Sequence, residues 1–270
     1  MKNGIYSDIS NRDYHSLDMV SNSYLNKLAI YPAKALIESG DTEAMAVGRA
    51  FHVYILEPEL FDKEVVILPE INRRTNDGKA EYARFLTEHS LKTIISIGDM
   101  ANIREMRLAI ERHPLASKMI KDGISEQTVI WTDNETGLPC KARPDRIPDG
   151  KGVLVDLKKT RDASAHGFQS SVVKYRYAQQ AAMYIDGIMH ATEGKKMYDA
   201  FAFIAVEDKE PYRTEVYTLN LSFLAWGYAE YRQLLKLERE CRDNNFWPHY
   251  QNPGAVELEK PSYLQEYEGE

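Results

Sequence analysis

Asp145, Asp156 and Lys158 are the residues of this chain whose types and spacing point most directly to chemistry. Asp145 closes Arg143-Pro144-Asp145, and Asp156 and Lys158 flank Leu157. On an extended strand side chains alternate faces, so Asp156 and Lys158 project together while Leu157 points the other way. Val153, Val155 and Leu157 then make one apolar face, and Leu154, Asp156 and Lys158 make the other. The turn residues Pro148-Asp149-Gly150 fold the preceding segment back, which sets Asp145 alongside Asp156. Two carboxylates held together repel, so one takes a proton or a cation sits between them. Carboxylate oxygen is a hard ligand of the kind Mg²⁺ or Mn²⁺ prefers. The plainer alternative is a surface hairpin carrying an Asp–Lys cross-strand pair, and this segment alone leaves both open.

Three further features bear on the choice. Gln180 and Tyr184 stand four apart, on one face of a helix that follows the hairpin. His52 ends Gly48-Arg-Ala-Phe-His52 on the best helical stretch of the first half. Glu126 opens the strand before the hairpin, within reach of the same pocket. Each has a plainer counterpart: helix packing, a satisfied helical histidine, and a solvated strand end.

The elements that must position these residues are legible in outline. Ser21-Asn22-Ser23 caps a helical turn to Ile30, and Pro32 suits the first position of another. The spacing predicts helices over 42–56, from 79 to 89, over 99–112 with Asp99 as cap, and from Pro114 to near Gly123. Residues 63–68 read as a strand. The period then changes, and 126–132, 138–147 and 153–159 read as a three-strand meander. Helices from about 165 to 189, strands over 200–206 and 213–219, and a long helix over 222–242 complete the pattern. This order predicts a single α/β domain over 1–270, a mixed central sheet wrapped by helices. Within it lie a helical half (about 1–123), a sheet-containing core (about 124–243) and a C-terminal tail (about 244–270).

Composition narrows the class. At 270 residues, with 43% hydrophobic and 28% charged, the chain can bury a substantial core and is not a disordered composition. No apolar run approaches the roughly 20 residues of a membrane helix. The first sixteen residues hold no apolar stretch suited to a secretory signal, so a cytoplasmic protein is expected. The net charge of −7 argues against nucleic acid on its face. Between Lys141 and Arg176, however, nine Lys or Arg stand against four Asp, a local field compatible with gripping phosphates. A solvated face of alternating charge is the alternative.

Taken in order, Gly48-x-x-x-His52, Glu126, Pro144-Asp145, Asp156-x-Lys158 and Gln180-x-x-x-Tyr184 resemble the nuclease core of the PD-(D/E)xK superfamily, in its RecB-type branch. The wording of residues 48–61, Asn72-Arg-Arg-Thr75, Ala142-Arg-Pro-Asp-Arg146 and Val155-Asp-Leu-Lys158 is similar to the exonuclease VIII (RecE) nuclease family and its phage-borne relatives. That family often has Thr directly after the motif lysine, whereas here Lys159 intervenes before Thr160. Two cysteines separate the chain from relatives holding an iron–sulfur cluster.

The resemblance implies a restriction-endonuclease-like fold and Mg²⁺- or Mn²⁺-assisted hydrolysis of DNA phosphodiesters. By the same resemblance His52, Asp145, Asp156 and the Leu157 carbonyl hold the metal, and Glu126 contributes to a second metal or its water. Lys158 orients the attacking water, Gln180 and Tyr184 hold the lysine or the phosphate, and Arg73 and Arg74 meet a terminal 5′-phosphate. Lys159, pointing away from Asp156, meets DNA backbone or solvent. The activity implied is a 5′-to-3′ exonuclease on linear duplex DNA that leaves 3′ overhangs for a single-strand annealing partner, in a homo-oligomeric ring. An endonuclease or structure-specific nuclease on the same core is the alternative, with a non-catalytic DNA-binding module as the third.

Overall fold

The computed structural model describes residues 1–38, 40–150, 152–250, 255 and 257–260. The expected tail therefore lies largely outside the described residues. The chain opens with β1 (Gly4–Tyr6), α1 (Asn11–Ser16), α2 (Asn22–Leu28), a 3₁₀ turn (Pro32–Leu36) and α3 (Glu43–Leu56). After a second 3₁₀ turn (Pro58–Leu60) come α4 (Phe61–Glu64), β2 (Val65–Ile67), α5 (Asn76–Glu88), β3 (Thr93–Ile95), α6 (Ile97–Arg112) and α7 (Ala116–Met119). The strand-rich stretch follows, with β4 (Ile124–Ser125), β5 (Thr128–Thr132), β6 (Pro139–Ala142), β7 (Arg146–Ile147) and β8 (Leu154–Thr160). Then come α8 (Ala165–Lys174), α9 (Tyr177–Ala191), β9 (Phe201–Glu207), β10 (Thr214–Thr218) and α10 (Leu221–Asp243).

Short hydroxyl side chains start most of these helices. Ser21, Thr42, Thr75 and Ser164 accept from the backbone N–H three residues on and cap α2, α3, α5 and α8. At α6 the cap is Ser96, not the expected Asp99. Asp99 instead reaches back to the Ser96 N–H as the second half of a capping box.

Five strands in the order β10-β9-β8-β7-β4 form the main sheet. β8 and β9 pair in parallel through α8 and α9, and the other neighbours are antiparallel. Helices on both faces bury both sides of the β8–β9 pair, as parallel strands require. Leu154, Phe201, Phe203 and Ala205 pack toward α9 and α10. Val155, Leu157, Ile204 and Val206 pack toward α3 and α6. The predicted alternation along β8 holds: Leu157 faces the α3/α6 core, and Gln180 of α9 donates to Asp156 on the opposite face.

The meander is a correction. β5 and β6 belong with β1 to a separate antiparallel sheet, while β7 pairs β8 in the main sheet. The expected strand over 138–147 breaks at Arg143-Pro144-Asp145, because proline removes a ladder donor there. The strand expected from Glu126 begins at Thr128, since Glu126 adopts a left-handed φ of 51°. The helices expected from about 165 to 189 are present as α8 and α9, divided where Arg176 takes φ 56°. The N-terminal half is mixed rather than wholly helical: β1 joins the second sheet, and β2 pairs β3 in parallel. Residues 63 and 64 of the strand predicted over 63–68 belong instead to the end of α4, and β2 begins at Val65.

Gly227 brings α10 tight against the first turn of α9, where an added Cβ would collide with the Ala178 carbonyl. Gly227→Ala is therefore expected to cost about 1–3 kcal/mol. Thermal unfolding should read this as a lower melting temperature. Gly98→Ala, whose Cβ would meet nothing nearer than the Ser96 hydroxyl at 3.7 Å, should be neutral or stabilising. Equal melting of the two variants would contradict this packing.

Candidate active site

The break between β6 and β7 is where the charged residues gather. Asp145 lies in it, and its Oδ2 accepts from the Leu157 N–H at 2.5 Å, which ties the break to the middle of β8. The Glu126 N–H donates to the Asp145 carbonyl at 3.2 Å, and Arg143 Nε donates to the Glu126 carbonyl at 2.7 Å. These two bonds hold Glu126 in a backbone conformation that costs a side-chain-bearing residue about 1–2 kcal/mol. The result turns the Glu126 carboxylate toward Asp145 instead of leaving it on a strand.

α3 supplies the third group. Ala50 and Phe51 are buried in the core, which fixes the helix and sets His52 at the cleft wall. His52 Nδ1 lies 3.5 Å from Asp145 Oδ1 and 3.8 Å from Glu126 Oε1. One donor atom from each of His52, Glu126 and Asp145 falls within 4.8 Å of the others. Nitrogen and carboxylate oxygen in one pocket suit a divalent cation of the Mg²⁺, Mn²⁺ or Zn²⁺ kind.

Asp156 stands beside this trio and is not part of it. Its Oδ1 accepts from Gln180 Nε2 at 2.6 Å, and Lys158 Nζ approaches Oδ2 to 2.5 Å as an ion pair. No directed hydrogen bond reaches Oδ2, which is buried. That oxygen is held by the Lys158 ammonium, so the donor set that fits a cation is His52, Glu126 and Asp145. The Leu157 N–H points to Asp145, and in an extended strand a residue's carbonyl points to the same edge.

The electrostatics follow from burial. Burial and the neighbouring Asp145 charge push Asp156 up to about 6, against the pull of Lys158. Burial alone would raise Asp145, yet His52, Lys158 and the Leu157 N–H hold it below the ordinary carboxylate range. Burial raises Glu126, with His52 opposing. Burial would lower His52, but Asp145 and Glu126 keep it well above the usual imidazole range. Without a cation, the proton on His52 and the Lys158 ammonium offset the carboxylates of the pocket.

The remaining predicted residues divide. Gln180 and Tyr184 line the cleft, of about 970 Å³, together with His52, Glu126, Asp145 and Lys158. Gln180 holds the carboxylate of Asp156 rather than the lysine. Lys159 projects away, as alternation requires, and pairs with Asp208 at 3.0 Å. Arg73 and Arg74 are not among the lining residues; Arg73 stacks on Tyr82 at 4.9 Å.

Sequence reasoning missed three contributors. Tyr177 carries Lys158 Nζ 4.6 Å above its ring, and its spacing to Gln180 and Tyr184 (three, then four) was the available signal. Arg143, quoted only as motif wording, grips the Glu126 and Ile9 carbonyls. Glu57, half-buried in the cleft wall, is pushed up to about 7 by burial and by Glu126. Nothing local in the sequence marks it.

A family profile described as a PDDEXK-like domain of unknown function (DUF3799) matches residues 21–260. Among curated proteins, none matches the chain by sequence. A provisionally named exonuclease from Eubacterium rectale has a similar crystal structure, with TM-score 0.63 and 14% identity over 94% of this chain and 96% of that one. An alkaline exonuclease from Laribacter hongkongensis aligns over 87% of this chain and 97% of its own, with 12% identity and a TM-score of 0.30.

Glu126→Gln gives a direct check on the pocket. Its raised pKa means the charged form costs stability, a cost absent at low pH and incurred as pH rises through the folded value. At pH 7.5 the variant should melt no lower than the parent without metal, and Mn²⁺ should raise its melting temperature less than the parent's. A variant destabilised without metal and shifted equally by Mn²⁺ would make Glu126 a purely structural residue.

Proposed function

The chain belongs to the PDDEXK-like domain family, and from that premise we propose that it is a divalent-metal-dependent deoxyribonuclease. On this reading residues 1–270 act as a single nuclease domain. The substrate is linear double-stranded DNA, digested from 5′ to 3′ to leave 3′ single-stranded overhangs for recombination. The observation that carries the reading is the His52, Glu126 and Asp145 trio opening onto the same cleft as Lys158.

In this mechanism His52, Glu126 and Asp145 would hold the cation, with the Lys158-paired carboxylate of Asp156 and the Leu157 carbonyl beside them. Bound there, a divalent ion supplies Lewis acidity toward the phosphate and lowers the pKa of water. Gln180 keeps Asp156 oriented through its Oδ1, and Oδ2 anchors the Lys158 ammonium. Lys158 stays charged, because Asp156 and the Tyr177 ring raise its pKa against burial. An ammonium fixed between the carboxylate and the cleft can orient the attacking water and stabilise charge growing on the phosphate oxygens. Tyr184 closes the wall beside Gln180 and excludes bulk water.

Mg²⁺ is the proposed metal, with Mn²⁺ as its substitute. Arg73 and Arg74, exposed ahead of α5, would meet DNA beyond the cleft, and Lys159 would serve at most as an outer backbone contact. The proposed partners are a single-strand annealing protein and further copies of this chain in a ring, in the cytoplasm. No helix among the described residues is long and apolar enough to cross a membrane.

Duplexes labelled separately at each 5′ and 3′ end should lose the 5′ label first with Mg²⁺ and remain intact with chelator. Closed circles should resist. Circles cut as fast as linear DNA would overturn the exonuclease reading. In single-turnover digestion Lys158→Ala should lose roughly 10²–10³ in rate, and Lys159→Ala should stay near the parent. A dead Lys159→Ala with an active Lys158→Ala would invert the assignment.

A further inference from the structure

The cleft has fewer free cations than the sequence suggests. Of the basic run, Lys141 donates to the Tyr14 and Leu17 carbonyls, and Arg143 to those of Ile9 and Glu126. Lys158, Lys159 and Arg176 pair with Asp156, Asp208 and Glu230. Arg49, also in the cleft wall, pairs with Asp41. Among the described lining residues, Arg12 and Lys174 are the Arg or Lys side chains in no ion pair and no hydrogen bond. A phosphate chain in this cleft must find other donors.

Asn22 and Asn26 supply them. They stand four apart on α2, so they share a face, and both line the cleft. Behind them the fully buried Gln179 donates from Nε2 to Asn22 Oδ1 at 2.9 Å and to Asn26 Oδ1 at 3.1 Å. Its own Oε1 has no partner. Half a turn of the Gln179 amide would leave two buried donors unpaired instead of one acceptor, which is the costlier arrangement. The observed polarity therefore fixes both asparagine oxygens inward and turns both NH₂ groups outward. Among the described residues neither NH₂ has a hydrogen-bond partner. Gln179 and Gln180, adjacent in the first turn of α9, thus set the asparagine pair and the Asp156 carboxylate from one rigid element.

We infer that Asn22 and Asn26 form a neutral donor subsite for a non-scissile phosphate of the DNA strand in the cleft, with Gln179 as their positioning residue. This rests on the nuclease reading. Donors without charge hold phosphate oxygens without adding a cation beside the metal pocket. They also release no counterions, so they leave the salt dependence of binding untouched.

The test is steady-state digestion of a fluorescein-labelled linear duplex with Mg²⁺ at several NaCl concentrations. Asn26→Asp keeps the inward oxygen that Gln179 binds and replaces the outward NH₂ by a charged oxygen, so the fold is preserved. Asn22→Ala and Asn26→Ala should each raise KM on the order of tenfold with kcat little changed. Asn26→Asp should be worse than Asn26→Ala. The slope of log(kcat/KM) against log[NaCl] should be unchanged in the alanine variants, whereas Lys174→Ala should flatten it by about one contact. Parental KM in all the asparagine variants would overturn the subsite and leave the nuclease reading intact. Equal losses in Ala and Asp variants, with lower melting temperatures, would make the pair structural and overturn it too. A parent protein that digests no DNA would remove the nuclease reading, and the subsite with it.

Discussion

Asp145, Asp156 and Glu126 crowd one partly dry pocket, and keeping that much carboxylate out of water constrains everything around it. Each carboxylate has a partner drawn from a different element: the Leu157 N–H from β8, Gln180 from α9, and His52 from α3. Removing one partner leaves a buried charge uncompensated, a cost of several kcal/mol by general experience. The packing that brings α3, α9 and β8 together is therefore also what makes the pocket tolerable. The pocket carries its charge with the His52 proton and the Lys158 ammonium, while Asp156 is held up to about 6 and Asp145 is held down. That state suits a cation, because His52, Glu126 and Asp145 bring donor atoms within 4.8 Å of one another.

How the backbone reaches this arrangement explains what could be read from the sequence. Alternation along β8 was legible because residues 154–157 are confined by two cores, and a shift of one residue would bury Lys158 in the wrong one. The same pattern correctly separated Lys158 from Lys159. What the pattern could not show was the change of sheet at Pro144. β6 and β7 are each regular, and their partners, β5 and β8, lie in different sheets. Apolar alternation is blind to such a crossing.

The convergence of His52, Glu126 and Asp145 was anticipated by resemblance and not by spacing. It depends on contacts across 74 to 93 residues of chain, and the φ of 51° at Glu126 has no signature in composition. Arg73 and Arg74 failed to reach the cleft for a similar reason: a basic turn before a helix says nothing of where that helix docks. The basic run from Lys141 to Arg176 misled in the opposite sense. Read as a field for phosphates, it is largely spent on backbone carbonyls and internal carboxylates.

A divalent cation bound in this pocket is expected to displace the proton held by His52. Titration of Mn²⁺ into the protein by calorimetry, in two buffers of different ionisation heat at pH 7, measures binding and proton release together. The expected result is saturable binding with release of at least one proton, lost in Asp145→Asn. Binding without proton release, or binding undiminished in Asp145→Asn, would contradict the account.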